Sequence, residues 1–225
     1  NKHPNLFRRI IFEKPFGFDL GSSNDLDECI HDSFDEKDVF RIDHYLGKDT
    51  VKNIIGLRFG NPIFEMVWDK KYIDHIHIVS DEDNGVEDRL EYYEKAGAIR
   101  DMIQNHLLQV ASLVLMEPPK NLGQKSVHDE KVKALKKISV NNPKDIVVGQ
   151  YESLKKLSNT DIETYAEVKL SVKNKRWKNV PIILRTGKML DKKRAYIEIE
   201  FKSENCKFYC RDIKPNKLII NIQPT

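Results

Sequence analysis

Three stretches late in the chain, YAEVKLSV (residues 165–172), AYIEIEF (195–201) and KLIINIQ (217–223), alternate apolar and polar side chains with a period of two. Neighbouring side chains of a strand point to opposite faces, so each stretch demands a sheet with one face against a core and the other in water, the habit of antiparallel sheets. A second demand comes from AGAIRDMIQNHLLQVASLVLME (residues 96–117). Apolar residues occupy every side of its last three turns, which predicts a mostly buried helix that stops at Pro118 and Pro119.

The beginning of the chain follows a different grammar. RIIF (residues 9–12) is β-branched and aromatic and halts at Pro15 and Gly17, as a buried strand entering a tight turn does. Ser22 then fits an N-cap before DLDECIHDSF, with Asp25 and Asp27 suited to the first turn. VFRID (residues 39–43) completes a strand, helix and strand, the unit of a parallel crossover. The expected fold class is therefore an α/β remnant followed by an α+β domain with a large antiparallel sheet.

Composition narrows the function classes. At 225 residues with 40% hydrophobic and 32% charged side chains, the chain can bury one good core or two small ones as a soluble globular protein. A net charge of +3, from 38 basic and 35 acidic residues, is too balanced for a general nucleic-acid binder but leaves room for a local cationic pocket for small anions. No stretch resembles a signal peptide, and none reaches the ~18 apolar residues needed to cross a bilayer. Cys29, Cys206 and Cys210 are sparse, lie at no zinc spacing, and fit a reducing cytoplasm.

Charge gathers in RIDHYLGKD (residues 41–49), where Asp43, His44, Tyr45 and Lys48 fall between a strand and a probable helix. Carboxyl ends of strands are where α/β proteins place ligands, and one ammonium with two fixed donors suits a phosphate monoester. A solvated turn with an incidental charge cluster fits the same spacing. On an α-helix, Arg100, Asp101, Gln104 and Asn105 share one arc and His106 lies past its edge beside Met102. His106 is thus either a neutral imidazole ready to accept a proton or a core histidine with one hydrogen bond.

Lys14 lies at the end of the RIIF strand beside Pro15, a candidate cis proline, and Lys188 in ILRTGK holds a similar place after an apolar run. Each is a ligand-facing lysine or a surface one. His75 and His77 share a face of YIDHIHIV, but no third ligand is spaced to join them, so they read as structural and no metal is expected. No Gly-x-Gly-x-x-Gly and no Walker spacing occurs among the ten glycines.

RIIFEKPFG, RIDHYLGKD, AIRDMIQNHLLQ, DEKVKALK, GQY, RWKNVPIILRTGK and IQP occur in an order that resembles the glucose-6-phosphate dehydrogenase family over most of the chain. The resemblance implies the end of a Rossmann NADP-binding domain over residues 1–43 and an α+β substrate-binding and dimerisation domain over residues 44–225. It implies oxidation of glucose 6-phosphate at C1 with hydride transfer to NADP, in the cytoplasm, by a homodimer or tetramer joined through the antiparallel sheet. Nucleic acid and membrane are not expected partners.

By motif match, His106 is the general base, Asp43 orients it, and Asp101 assists. Lys14, His44, Tyr45, Lys48, Glu87, Lys188, Lys193 and Gln223 match substrate-holding positions. Lys14 and Pro15 match the cofactor side, and Arg185 and Arg194 match a second, structural NADP site. The sequence departs from the family at Leu90 and Glu91, where paired glycines are usual, and at Glu198 and Asn221, where arginines are usual. The chain is expected to be a central portion of a longer protein, because the family's glycine-rich NADP fingerprint lies upstream of RIIFEKPFG. Two readings follow: the sugar-phosphate half of a dehydrogenase, or a dimerising fragment that at most binds the phosphosugar.

Overall fold

The computed structural model describes residues 8–86, 89–157, 161–203 and 214–223. The chain divides into two compact units, Asn1–His44 and Tyr45–Thr225.

In the first unit, strand β1 (Ile10–Glu13) lies parallel to β2 (Val39–Ile42), with helix α1 (Leu20–His31) between them in sequence. The turn after β1 contains a cis Lys14–Pro15 bond and Gly17 at φ 92°. A Cβ on Gly17 would sit 2.6 Å from the Ser23 amide nitrogen, so glycine alone fits this turn. The cap of α1 is Asp19 rather than Ser22. The Asp19 carboxylate accepts the Ser22 N–H at 2.8 Å while Ser22 Oγ accepts the Asp19 N–H at 3.1 Å, a reciprocal capping box that moves the helix start three residues upstream.

The second unit contains helices α2 (Asp49–Phe59), α3 (Pro62–Val67), α4 (Leu90–Ala98), α5 (Leu108–Leu115), α6 (Gln124–Leu135) and α7 (Glu152–Leu157). Its strands are β3 (Ile73–Asp81), β4 (Ile138–Ser139), β5 (Ile146–Gly149), β6 (Tyr165–Val172), β7 (Ile182–Gly187), β8 (Arg194–Phe201) and β9 (Lys217–Gln223). They form one sheet in the order β4-β6-β7-β3-β8-β9, with β5 also alongside β6. Alternate residues Ala166, Val168, Leu170 and Val172 of β6, and Ala195, Ile197 and Ile199 of β8, are buried in a core shared with Leu107, Val110, Leu115, Trp68 and Trp177.

The sheet is mixed, where an antiparallel one is expected. The central strands β3 and β7 run parallel, while the other pairs are antiparallel. Residues 78–81 of β3 are all buried, which marks a strand covered on both faces, as parallel strands are. Alternation in β6, β8 and β9 reports their half-solvated faces and carries no information about this central pair.

The single helix expected over residues 96–117 is broken. Gly97, at φ 63° and ψ 178°, ends the helical course of α4, and Ile99–Leu107 is wound as a π-helix before α5 begins. The Leu108 N–H reaching the Ile103 carbonyl, five residues back, marks the wider winding.

His77 on β3 makes the fold acid-sensitive. Burial, then the adjacent His75, push its imidazole below the ordinary value of 6.5; Glu198, Glu167 and Arg185 are the other charged groups around it. Below pH 6.5 the unfolded chain therefore takes up a proton more readily than the native state does. Stability is full above that pH and declines as pH falls through the window beneath it. Thermal midpoints measured from pH 7.5 downward should fall less steeply for His77→Gln than for the parent, and equal slopes would exclude His77 as a source.

Candidate active site

Strand polarity gathers polar groups at one end of the sheet. Because β3 and β7 are parallel, with Asp81 opposite Gly187, their carboxyl ends lie side by side and deliver Glu82 and Lys188 together. At the same end β8 begins, with Arg194 opposite Asp81, and β9 finishes, with Gln223 opposite Ala195. Lys193 and Gln223 thereby join the group. Lys188 Nζ donates to Glu82 Oε2 and sits 5.9 Å from the Tyr93 ring centroid.

Lys48 closes this end from the side. It caps α2 at the N-terminus, its ammonium donates to Gln223 Oε1 at 2.7 Å, and it lies 4.6 Å from the Tyr45 ring centroid. Burial and then the charge of Lys193 push Lys48 below its ordinary 10.5. Two mutually repelling ammonium groups at a helix N-terminus, with an amide beside them, make a place whose strain an anion relieves.

The same Tyr45 reaches the candidate base. Its hydroxyl shares a 2.7 Å hydrogen bond with Ser80 Oγ, and its ring stacks on His106 at 4.8 Å and 20°. His106 and Asp101 are buried, at 1% and 4% exposure, so His106 lies deeper than the edge position an α-helix gives it. In an α-helix these two residues stand about 140° apart, whereas π winding bonds residue i+5 to residue i and sets them one turn apart on one face. The break at Gly97 and the winding after it leave both residues buried, Asp101 against Tyr92 and His106 against Tyr45.

Tyrosines hold the carboxylate. Tyr92 donates to Asp101 Oδ1 at 3.1 Å, and burial, then the Asp101 charge, push that phenol up to about 12. Burial and then Asp101 likewise raise Tyr93. Both phenols thus remain protonated at neutral pH and face Asp101 as neutral groups.

Of the other expected residues, Lys14 and Pro15 follow β1, and Asp43 and His44 follow β2, all four in the first unit. Glu87 lies outside the described residues. Glu82, the carboxylate that pairs with Lys188, is absent from the expected set. The acidic run Asp81, Glu82, Asp83 directly after an apolar strand was its only signal, and spacing does not separate its members.

Arg185 and Arg194 lie on the sheet face of Val79 and Asp81 and share the buried Asp81 carboxylate. Arg185 Nη2 lies 2.7 Å and Arg194 Nε 2.8 Å from Asp81 Oδ2. One carboxylate thus serves two guanidinium groups, and Glu198, further along the strand face of Arg194, is paired with Lys217.

Among the described residues, Asp74, His75 and Glu200 place ligand atoms within 4.8 Å of one another, so β8 supplies the third group that spacing along β3 lacks. Lys217 already lies 2.9 Å from Glu200 and 3.0 Å from Glu198, and the cluster reads as a cross-strand ion-pair ladder.

Comparison with known proteins places this geometry. Residues 55–225 match the model of the glucose-6-phosphate dehydrogenase C-terminal domain, and residues 1–53 match that of the glucose-6-phosphate dehydrogenase NAD binding domain. Glucose-6-phosphate 1-dehydrogenase of Chlamydia muridarum is 42% identical over 238 residues, covering 96% of this chain and 46% of the relative. The cytoplasmic isoform of Solanum tuberosum is 42% identical over 222 residues, covering 96% of this chain and 43% of the relative. A solved glucose-6-phosphate dehydrogenase in complex with its substrate glucose-6-phosphate superposes with a TM-score of 0.90 at 41% identity, covering 96% of this chain and 47% of that one. The chain thus spans about half the length of the relatives it matches. A short parallel βαβ segment followed by a large mixed sheet with helices, matched by both domain models, means that the chain belongs to the glucose-6-phosphate dehydrogenase family.

Proposed function

We propose that the protein oxidises glucose 6-phosphate at C1 to 6-phosphoglucono-lactone with hydride transfer to NADP, the first step of the pentose phosphate pathway. The observation that supports this best is the Tyr45 ring. It carries His106 at 4.8 Å and the Lys48 ammonium at 4.6 Å, so a proton acceptor and an anion-binding group are spaced by one side chain. A small molecule with an alcohol at one end and a phosphate at the other spans that interval.

The division of labour follows from the chemistry. His106 takes the C1 hydroxyl proton as the C–O bond becomes a carbonyl and the C1 hydrogen departs with its electron pair. Asp43, by the resemblance, orients His106 and stabilises the imidazolium that results, and Asp101, buried as His106 is, assists in the same site. When bound, the nicotinamide cofactor supplies the hydride acceptor. Lys48, Lys193 and Gln223 hold the phosphate, and their binding energy, remote from C1, positions that carbon. Lys188 and Glu82 supply a donor and an acceptor for the sugar hydroxyls. The roles of Asp43, His44, Lys14, Pro15 and Glu87 rest on the resemblance alone.

We extend the proposal to a cytoplasmic location, as the name of the Solanum tuberosum relative states for that protein, and to self-association through the sheet, where Val147 and Ile219 are each 53% exposed. The 225 residues alone, which contain no glycine-rich dinucleotide loop, are expected to bind the phosphosugar without forming NADPH.

The test uses the full-length protein, NADP and glucose 6-phosphate, followed by the absorbance of reduced nicotinamide. Turnover with glucose 6-phosphate and little with free glucose is expected. A folded full-length protein that reduces no NADP overturns the assignment.

A further inference from the structure

The helix that carries Asp101 and His106 begins at an unusual junction. Gly97 leaves α4 in the left-handed region, at φ 63°, and the wider π winding starts immediately afterwards. The first N–H groups of any helix lack partners within it. Here two of them are met from the segment that precedes β6. The Ala98 N–H donates to the main-chain carbonyl of Glu163 at 3.0 Å, and the Ile99 N–H donates to Glu163 Oε1 at 3.1 Å.

Gly97 makes the approach possible. A Cβ at that position would lie 2.5 Å from Glu163 Oε1 and 2.7 Å from the carboxyl carbon, so the carboxylate occupies the space that any other side chain would fill. The next residue reaches the other half of the site. Thr164, 1% exposed, accepts the Lys188 N–H on its carbonyl at 2.9 Å, and its own N–H donates to the Gly149 carbonyl at 2.8 Å. Its hydroxyl also accepts the Tyr151 N–H at 3.0 Å. Two consecutive residues thus tie the start of the base-carrying helix to the lysine at the end of β7.

We propose that Glu163 is a positioning residue for the reaction, fixing the register of the π-wound helix and so the places of Asp101 and His106 relative to Lys188. This rests on the dehydrogenase reading above. The carboxylate acts as an acceptor of a particular reach: long enough to meet the Ile99 N–H, and seated in the space left by Gly97. Displacing a catalytic group by about 1 Å can cost a factor of 10² in rate. The effect therefore belongs in kcat rather than in the affinity for the phosphosugar, which Lys48, Lys193 and Gln223 govern.

The experiment compares Glu163→Ala, Glu163→Gln and Glu163→Asp in the full-length protein by kcat, KM for glucose 6-phosphate and thermal midpoint, with amide hydrogen exchange of residues 97–107. Glutamine keeps an acceptor at the same reach; aspartate keeps the charge one methylene short. Expected are a kcat about tenfold lower for alanine with KM nearly unchanged, substantial retention by glutamine, an aspartate variant below glutamine, and faster exchange near Ile99 in alanine and aspartate. If alanine does not fold, the order of glutamine and aspartate decides. Aspartate at or above glutamine, or alanine with parental kcat and exchange, overturns the proposal. Hydrogen exchange reads the helix anchor without turnover, so a protein that oxidises no glucose 6-phosphate but loosens at Ile99 in Glu163→Ala would refute the reaction and leave the anchor standing.

Discussion

Replacing His106 by asparagine should lower kcat for glucose 6-phosphate oxidation by the full-length protein about 10²–10⁴-fold, the share that a positioned general base typically supplies. Asparagine is close to histidine in polarity and fits beneath the Tyr45 ring, so the phosphosugar should still bind and KM should move little. At 1% exposure the imidazole has no bulk water beside it to take over proton removal. A variant that retains kcat within a factor of about three would mean that another group accepts the proton, and Asp101, on the same face of the helix, is where the search would turn.

Lys48→Ala attacks the other contact of that ring. A hydrogen bond to a charged group contributes roughly 1.5–3 kcal/mol, so affinity for glucose 6-phosphate should fall by about 10- to 150-fold. Free glucose, lacking the phosphate, should bind alike to both proteins. The thermal midpoint of the unliganded variant should shift little, because the lost Gln223 hydrogen bond and Tyr45 contact are offset by relief of desolvation and of repulsion from Lys193. That combination separates a binding lysine from a structural one. Binding to the parent should also weaken on the alkaline side before pH 10.5, since Lys48 gives up its proton below that value and the neutral amine no longer holds a dianion. Calorimetric titration of the 225-residue chain measures both effects, and an affinity unchanged by the substitution would remove Lys48 from the phosphate site.

What could be read in the residues, and what could not, follows from the range of each signal. Period-two alternation located residues 165–172 and 217–223 as strands, matching β6 and β9. RIIF and VFRID located β1 and β2 to within a residue or so. These are local patterns written by one solvated face or by a turn. The α1 start is ambiguous in the residues because Ser22 is a cap-forming residue that here serves as the third residue of a box led by Asp19. The π winding was invisible, since it depends on Gly97 yielding its side-chain space to Glu163, sixty-odd residues away in sequence. Glu82 is hidden for a related reason: only the parallel register of β3 and β7 picks it from its acidic neighbours. Motif resemblance, by contrast, selected Lys48 and His106, whose shared contact with Tyr45 no periodicity encodes.

The parallel pairing of β3 with β7 also sets a timetable for synthesis. The pair that brings Glu82 to Lys188 joins residues 106 apart, and the one that brings Lys48 to Gln223 joins residues 175 apart. Closing such long loops costs entropy before any contact rewards it, so pairings of this kind form late and slowly. On the ribosome, β3 emerges long before either of its neighbours β7 and β8, with the apolar edge of Ile76 and Ile78 waiting for both. The strand at the middle of the finished sheet is thus the one that spends longest without a partner, and it is where a chaperone would be expected to hold the nascent chain.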